Sequence, residues 1–153
     1  MLTDVEREEI ERELTHYPER RAGCIEALRI VQRHRSWISN DTLKDIAEFL
    51  RMTTHELDAV ATFYNLIFRK PVGRHVLFLC NSISCWIAGY DNLRRDIESR
   101  LGVKLGETTA DGRLTVLPIV CLGCCDRAPA VMIDDEVCQA STETLLDILQ
   151  RYQ

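Results

Sequence analysis

The chain is poor in the residues that interrupt regular structure, with seven glycines and four prolines in 153 positions. Only Gly23 falls within the first seventy residues, and Gly89, Gly102 and Gly106 stand apart from one another, so no glycine-rich loop is available to cradle a phosphate. A dinucleotide is therefore expected to bind elsewhere than on this chain. Long apolar runs are also missing. The stretches at 76–80 and 116–120 fall far short of the roughly 20 residues of a bilayer-spanning helix, so no direct membrane insertion is expected. There is no excess of positive charge: 19 Lys and Arg face 24 Asp and Glu, for a net charge of -5. Such a balance gives no general field for holding nucleic acid or an anionic membrane. The opening MLTDVEREEIEREL lacks the apolar segment of a secretory signal and is too acidic for a transit peptide, which reads as a cytosolic, prokaryotic chain. Internal repeats and low-complexity tracts are absent as well.

Cysteine, by contrast, is plentiful. Seven thiols occupy positions 24, 80, 85, 121, 124, 125 and 138. An odd count in a cytosolic chain disfavours a disulfide framework and favours metal binding. The positions form two close clusters and two isolated residues.

The first seventy positions carry helical periodicity. Leu43, Ile46, Ala47 and Leu50 share one helix face, and Leu57, Val60, Ala61, Tyr64 and Phe68 extend a similar pattern. Ser39 to Asp41 offer caps for the first helix, and Thr53-Thr54-His55-Glu56 is a capping box ahead of the second. Ile25, Leu28 and Val31 mark another helix, and the acidic segment 4–14 a weaker one with a thin apolar stripe and a solvated face. These elements make a small bundle over residues 1–72, in which Phe63, Tyr64 and Phe68 are read as core or partner interface. Pro71 and Gly73 end the pattern.

From 73 to 153 the pattern changes to strands with helices between and after them. Residues 76–79 form a continuous apolar run, the mark of a buried strand. Tyr90, Leu93, Ile97 and Leu101 lie on one helix face that closes at Gly102. Asp111-Gly112 introduces an alternating strand, Asp134-Asp135 joins the two arms of a hairpin, and Leu145, Ile148, Leu149 and Tyr152 make a final helix with Ser141 as its cap. The fold class is thus α+β: an N-terminal helical bundle followed by a small α/β domain.

CNSISCW at 80–86 and CLGCCDRAP at 121–129 each follow a strand, with 35 residues between Cys85 and Cys121. Adjacent strands of one sheet would carry both loops to the same end, where four thiolates converge. Zinc and iron-sulfur clusters both accept tetrahedral thiolate sites. Only Cys121-x2-Cys124 matches an ordinary zinc knuckle, while a four-residue gap like that of Cys80-x4-Cys85 occurs in iron-sulfur loops, so spacing favours the cluster. Backbone amides, the hydroxyls of Ser82 and Ser84, a helix starting between Trp86 and Tyr90, and the ring of Trp86 as a water shield are the surroundings expected for its negative charge. Five thiols compete for four places, and spacing leaves Cys124 and Cys125 undecided.

Those pairs, taken with ATFY at 61–64, PVGRH at 71–75 and DGRLTVLP at 111–118, closely resemble one family over nearly the whole chain, from about Ile25 onward. It is the small thioredoxin-like 2Fe-2S component (the E subunit, 24-kDa type) of bacterial NADH:quinone oxidoreductase, respiratory complex I. The resemblance implies a thioredoxin-like second domain and one 2Fe-2S cluster with Cys80, Cys85, Cys121 and Cys125 as ligands. Cys124 then falls where that family usually has a non-ligand residue, and becomes a spare thiol. The resemblance further implies a partner subunit that binds FMN and NADH, transfer of an electron between its flavin and the cluster, and no complete active site on this chain alone. It places the chain on the cytoplasmic side of the inner membrane, held there peripherally through the complex. Equivalent subunits serve NAD-linked formate dehydrogenases and NAD-reducing hydrogenases.

Two other classes fit less well. A thiol-disulfide enzyme would use Cys121-x2-Cys124, but that motif lies in the wrong half of the domain and leaves Cys80 and Cys85 without a role. A zinc-stabilised interaction module meets the same spacing objection. His16, His34 and His55 are too scattered for a ligand set, and His75 is considered only for indirect contact with the cluster through the strand that carries Cys80. Cys24 and Cys138 read as small apolar core residues.

Overall fold

A computed structural model describes residues 1–141 and 143–152; the final residue of the expected second domain lies outside them. The chain divides into two compact units, Met1–Pro71 and Val72–Gln153.

The first unit consists of four helices: α1 Asp4–Leu14, α2 Cys24–Arg35, α3 Asn40–Leu50 and α4 Thr54–Phe63. Local chemistry sets their starts. Thr3 and Thr53 each accept a hydrogen bond from the amide three residues on, and Glu6 and Glu56 reach back to complete capping boxes. Ser39 caps α3 through the Thr42 amide. Ile10, Leu28, Val31, Ile38, Leu43, Ile46, Leu50 and Leu57 are buried in one core, with Cys24 among the residues around them. Burying a side chain of this size is worth about 1.5–3 kcal/mol before the entropy of ordering it is set against the gain. The chain leaving α4 is tied back by Arg69, which donates to Asp58, to the Asn40 side chain and to the Ile38 carbonyl.

Two expectations for this unit are corrected. The acidic α1 is not simply a solvated face: Glu6 is 1% exposed and meets Arg35 of α2 through two hydrogen bonds of 2.6 Å. For the aromatic stripe, Phe63 and Tyr64 do not take the core reading, while Phe68 is half-buried. Tyr64 leaves the helical region, at φ -90 and ψ 111, so the periodicity stops at Phe63. Phe63 is then 79% exposed and packs edge-to-face on the exposed Tyr64.

The second unit is built on a four-stranded sheet in the order β2-β1-β3-β4, with β1 His75–Cys80, β2 Leu114–Ile119, β3 Ala130–Ile133 and β4 Glu136–Gln139. Strands β1 and β2 are parallel, whereas β1 with β3 and β3 with β4 are antiparallel. Parallel neighbours need a crossover, supplied here by α5 Ile83–Ile87 and α6 Tyr90–Leu101. All residues of β1 after His75 are buried, as its unbroken apolar run requires. Leu77, Leu79, Leu93, Ile97, Leu114, Val116, Val131 and Ile133 form the core with Leu145, Ile148 and Leu149 of α7 Leu145–Gln150. The Ser141 hydroxyl accepts from the Thr144 amide just ahead of α7. The observed architecture is the α+β arrangement expected, a group of helices followed by a sheet with helices.

Candidate metal centre

The sheet register puts the cysteines together. Cys80, the last residue of β1, lies opposite Ile119 of β2, and the Asn81 amide adds one more ladder bond to the Ile119 carbonyl at 3.0 Å. Both strands run the same way, so the loops after them leave from the same end of the sheet. From one comes Cys85; from the other come Cys121, Cys124 and Cys125.

Cys85 is carried by α5, whose start at Ile83 precedes the helix expected between Trp86 and Tyr90. It therefore sits inside a short helix, and the expected helix follows it as α6, which starts at Tyr90. Ser82 stands at the N-cap of α5 without a side-chain cap bond, and five residues are too few to show a helical period, which is why the sequence pattern missed it. Cys80 and Cys85 are 3% and 2% exposed, Cys124 is half-buried, and Cys121 and Cys125 are exposed. The thiol of Cys80 is within hydrogen-bond reach of those of Cys85 and Cys121. Burial, and then the charge of Cys80, raise the Cys124 thiol pKa, and Cys124 adds in turn to the rise at Cys85. Cys125 opens a 3₁₀ turn, Cys125–Arg127.

Backbone amides surround these sulfurs. Ser82 and Leu122 donate to Cys80, Ala130 donates to Cys85, and Gly123 donates to Cys121 at 3.3 Å. Gly123 reaches its sulfur from a φ of 74, a conformation that favours glycine. Burial raises the Cys80 thiol pKa, but the two amides and the neighbouring thiols outweigh it, leaving the group below its ordinary value. Burial pushes Cys85 up to about 11; the Ala130 amide opposes this, and the adjacent Cys80 adds to it. One inner thiol thus ionises readily while its neighbour holds its proton, the usual result of crowding two like-charged groups.

Several expectations about the surroundings change. Ser82 contributes its amide, and its hydroxyl makes no capping bond. Trp86 is 57% exposed, and with the exposed Ile83, Ile87 and Val120 it forms an apolar rim flanking the cysteines along the chain. His75 pairs with Asp134 at 2.7 Å. It stands at the opposite end of β1, five residues from Cys80 at about 3.3 Å each, too far for contact with the cluster's ligands. Cys24 is buried as expected, whereas Cys138 is half-buried with its thiol 3.7 Å from Glu136. The amides of Leu122 and Ala130 left no trace in the sequence pattern, because every non-proline residue carries the same donor.

The donor chemistry fits a 2Fe-2S cluster. A binuclear cluster takes two thiolates per iron and carries net negative charge, which amide donors stabilise. Among the described residues, no three His, Cys, Asp or Glu side chains close around a point as a single ion would need. The amides beside Cys80, Cys85 and Cys121 suit the negative charge of such a cluster.

Comparisons with known proteins agree. The family model described as thioredoxin-like [2Fe-2S] ferredoxin matches residues 10–153. The E subunit of the Pseudomonas aeruginosa NADH-quinone oxidoreductase is 48% identical over 89% of this chain and 82% of its own. The Escherichia coli K12 protein of the same name is 44% identical over 99% of this chain and 92% of its own. Among solved structures, an NAD+-reducing [NiFe]-hydrogenase in the air-oxidised state superposes with a TM-score of 0.68 at 25% identity. That match covers 84% of this chain but only 23% of the hydrogenase chain. The fold, the paired thiols and these relatives agree: the chain belongs to the thioredoxin-like [2Fe-2S] ferredoxin family.

Proposed function

We propose that this chain is the electron-transfer subunit of the NADH-oxidising module of an NADH:quinone oxidoreductase, holding one 2Fe-2S cluster through Cys80, Cys85, Cys121 and Cys125. The observation that carries the reading is the pair of thiol loops at one end of two parallel strands, with amides from Ser82, Leu122, Gly123 and Ala130 directed at the sulfurs. The name shared by relatives at 44–48% identity adds the complex in which such a chain works.

When bound, the cluster supplies a one-electron site. The protein's part is to fix it and set its electrostatics. Buried Cys80 and Cys85 anchor the inner side, and exposed Cys121 and Cys125 place the outer side near the surface. The amides offset negative charge, favouring the reduced state over what bare thiolates would allow. The apolar rim of Ile83, Trp86, Ile87 and Val120 is the face on which the partner docks and excludes water. That partner binds FMN and NADH and exchanges an electron with this chain. The units meeting at residues 71–72 act as two domains, a helical bundle and a thioredoxin-like ferredoxin domain, within the limits 1–72 and 73–153. Among the described residues no helix is long and apolar enough to cross a membrane. Peripheral attachment through the complex, on the cytoplasmic side of the inner membrane, belongs to the same proposal.

A second reading has its own support: the superposition on an NAD+-reducing hydrogenase favours an equivalent subunit of a soluble NAD-linked hydrogenase or formate dehydrogenase. Anaerobic purification under native expression tests both. Two irons and two sulfides per chain, with an S = 1/2 signal after dithionite, are expected. Stoichiometric zinc without sulfide refutes the cluster reading. A flavoprotein that co-purifies with quinone-reductase subunits supports the first assembly; one accompanied by a nickel or molybdenum subunit supports the second.

A further inference from the structure

The sheet of the second unit ends differently on its two sides. Along β2 the outer edge is closed: Gly106 donates to the Val116 carbonyl at 2.6 Å, Val116 to the Glu107 carbonyl at 3.1 Å and Thr109 to the Leu114 carbonyl at 2.8 Å. Further along, Pro118 has no amide proton to offer. The other edge is β4, and the ladder fixes which way its backbone groups point. Hydrogen-bonding direction alternates along an antiparallel strand. The Ala140 amide donates inward, to the Pro129 carbonyl at 3.0 Å, so Cys138 and Glu136, in register with Val131 and Ile133, also face β3. Val137 and Gln139 therefore turn their amides and carbonyls outward, and among the described residues these groups have no hydrogen-bond partner. Lysine and proline, which commonly guard an edge, are missing from β4, and its one charge, Glu136, is engaged by the Tyr152 hydroxyl at 2.8 Å and by Arg151 at 3.5 Å. Shortness is the only guard this edge has.

We propose that β4 pairs antiparallel with β4 of a second copy of this chain, joining the two sheets across a two-fold axis at Cys138. The strand itself selects this occupant. With the axis there, Val137 of each copy lies opposite Gln139 of the other and exchanges both backbone bonds with it, so every outward group of the two strands is used. An axis at Val137 or at Gln139 satisfies that residue alone and sets the other against a residue outside β4. In the chosen register Glu136 meets Ala140, so no like charges face each other. Cys138 meets Cys138 of the second copy at a non-hydrogen-bonded position, with Cα atoms about 4.5 Å apart. Four residues a side make a small contact, which sets the dimer among weak, reversible associations.

The test follows amide hydrogen exchange residue by residue in the full chain, isolated anaerobically, at rising concentration, with sedimentation reporting the fraction of dimer. Exchange at Val137 and Gln139 should slow by about tenfold or more as the dimer forms. Val137→Pro removes an outward donor without touching the ladder to β3, and should weaken the dimer by about tenfold or more. A dimer that Val137→Pro does not weaken, or one in which both amides exchange as fast as in the monomer, overturns the proposal and assigns association to another face. A chain that stays monomeric up to about 1 mM, the weak end of measurable association, overturns it as well. Protection of the two amides only after the co-purifying flavoprotein is added gives the edge to that partner and likewise overturns pairing between copies. Should Val137→Pro fail to fold, diamide oxidation of the wild-type chain decides: two Cys138 thiols give up two electrons and two protons to diamide and form one disulfide. Digestion of the cross-linked dimer should yield two Cys138 peptides joined together; a digest without that product overturns the proposal.

Discussion

Replacing Glu6 by glutamine tests the most heavily connected polar contact of the helical unit. Its carboxylate receives two hydrogen bonds from Arg35 and one from the Thr3 amide, and Arg35 is further fixed by Thr42 and the Met1 carbonyl. The Arg35 guanidinium, with the Thr3 amide, lowers the Glu6 pKa from 4.5 to about 2 against the opposing effect of burial. At about 1.4 kcal/mol per pH unit, that fall corresponds to roughly 3 kcal/mol of folding free energy. The sign follows from the depressed folded-state value: the stabilisation is complete above the unfolded pKa near 4.5 and disappears as pH drops through about 2. Glu6→Gln also leaves Arg35, 27% exposed, without its hydrogen-bonded counter-charge, with the charge of Asp45 still acting on it. That partial exposure holds the expected cost at pH 7 to about 3 kcal/mol, the low end for breaking a buried pair. Trp37, half-buried two residues beyond Arg35, reports the transition when Trp86 is replaced by phenylalanine. Urea unfolding followed by Trp37 fluorescence should show the gap between parent and variant closing between pH 5 and pH 2. Other carboxylates titrate over the same range, so the difference between the two proteins is the decisive quantity. A variant within 0.5 kcal/mol of its parent at pH 7, a difference smaller than the roughly 1 kcal/mol worth of one ordinary hydrogen bond, refutes the reasoning. So does a gap that stays constant with pH.

Gly73→Ala should destabilise the second unit by about 1–3 kcal/mol, because the added carbon would lie 2.9 Å from the Gly112 carbonyl oxygen and 3.0 Å from Arg113 backbone atoms that cannot swing aside; thermal unfolding followed by near-UV circular dichroism checks this. Leu79→Ala, at a fully buried position one residue before Cys80, should cost about 2–5 kcal/mol, and chelator challenge should strip iron from it faster than from wild type. Thr53→Ala removes an exposed capping box and should cost about 1 kcal/mol in urea unfolding, with iron content unchanged.

The cysteine centre was legible because its two halves follow strands whose apolar patterns are unmistakable, and parallel pairing then leaves little freedom in where the loops emerge. The capping box at Thr53 was equally plain, since it acts on a residue three positions away. What escaped the sequence depends on distance or on shared backbone chemistry. Glu6 and Arg35 are 29 residues apart, and nothing about either predicts the other. Phe63 and Tyr64 continue an apolar periodicity that looks the same whether it faces a core or the outside. Helix α5 is too short to show a period, and the amides beside the sulfurs belong to residues as ordinary as Leu122 and Ala130.

The register of β1 against β2 has a consequence for assembly. Its four proposed ligands come from segments with 35 residues between them, and only the pairing of Cys80 with Ile119 brings those segments together. An unfolded chain offers iron two separate thiol pairs, each a poor host, whereas the paired strands offer all four. Cluster insertion and closure of the sheet are therefore linked equilibria, and cluster bound to the native chain draws folding toward completion by mass action. A chain whose strands have slipped by one residue would turn Cys80 to the other face of the sheet and could not be loaded. Iron acquisition in this protein thus doubles as an inspection of its own strand pairing.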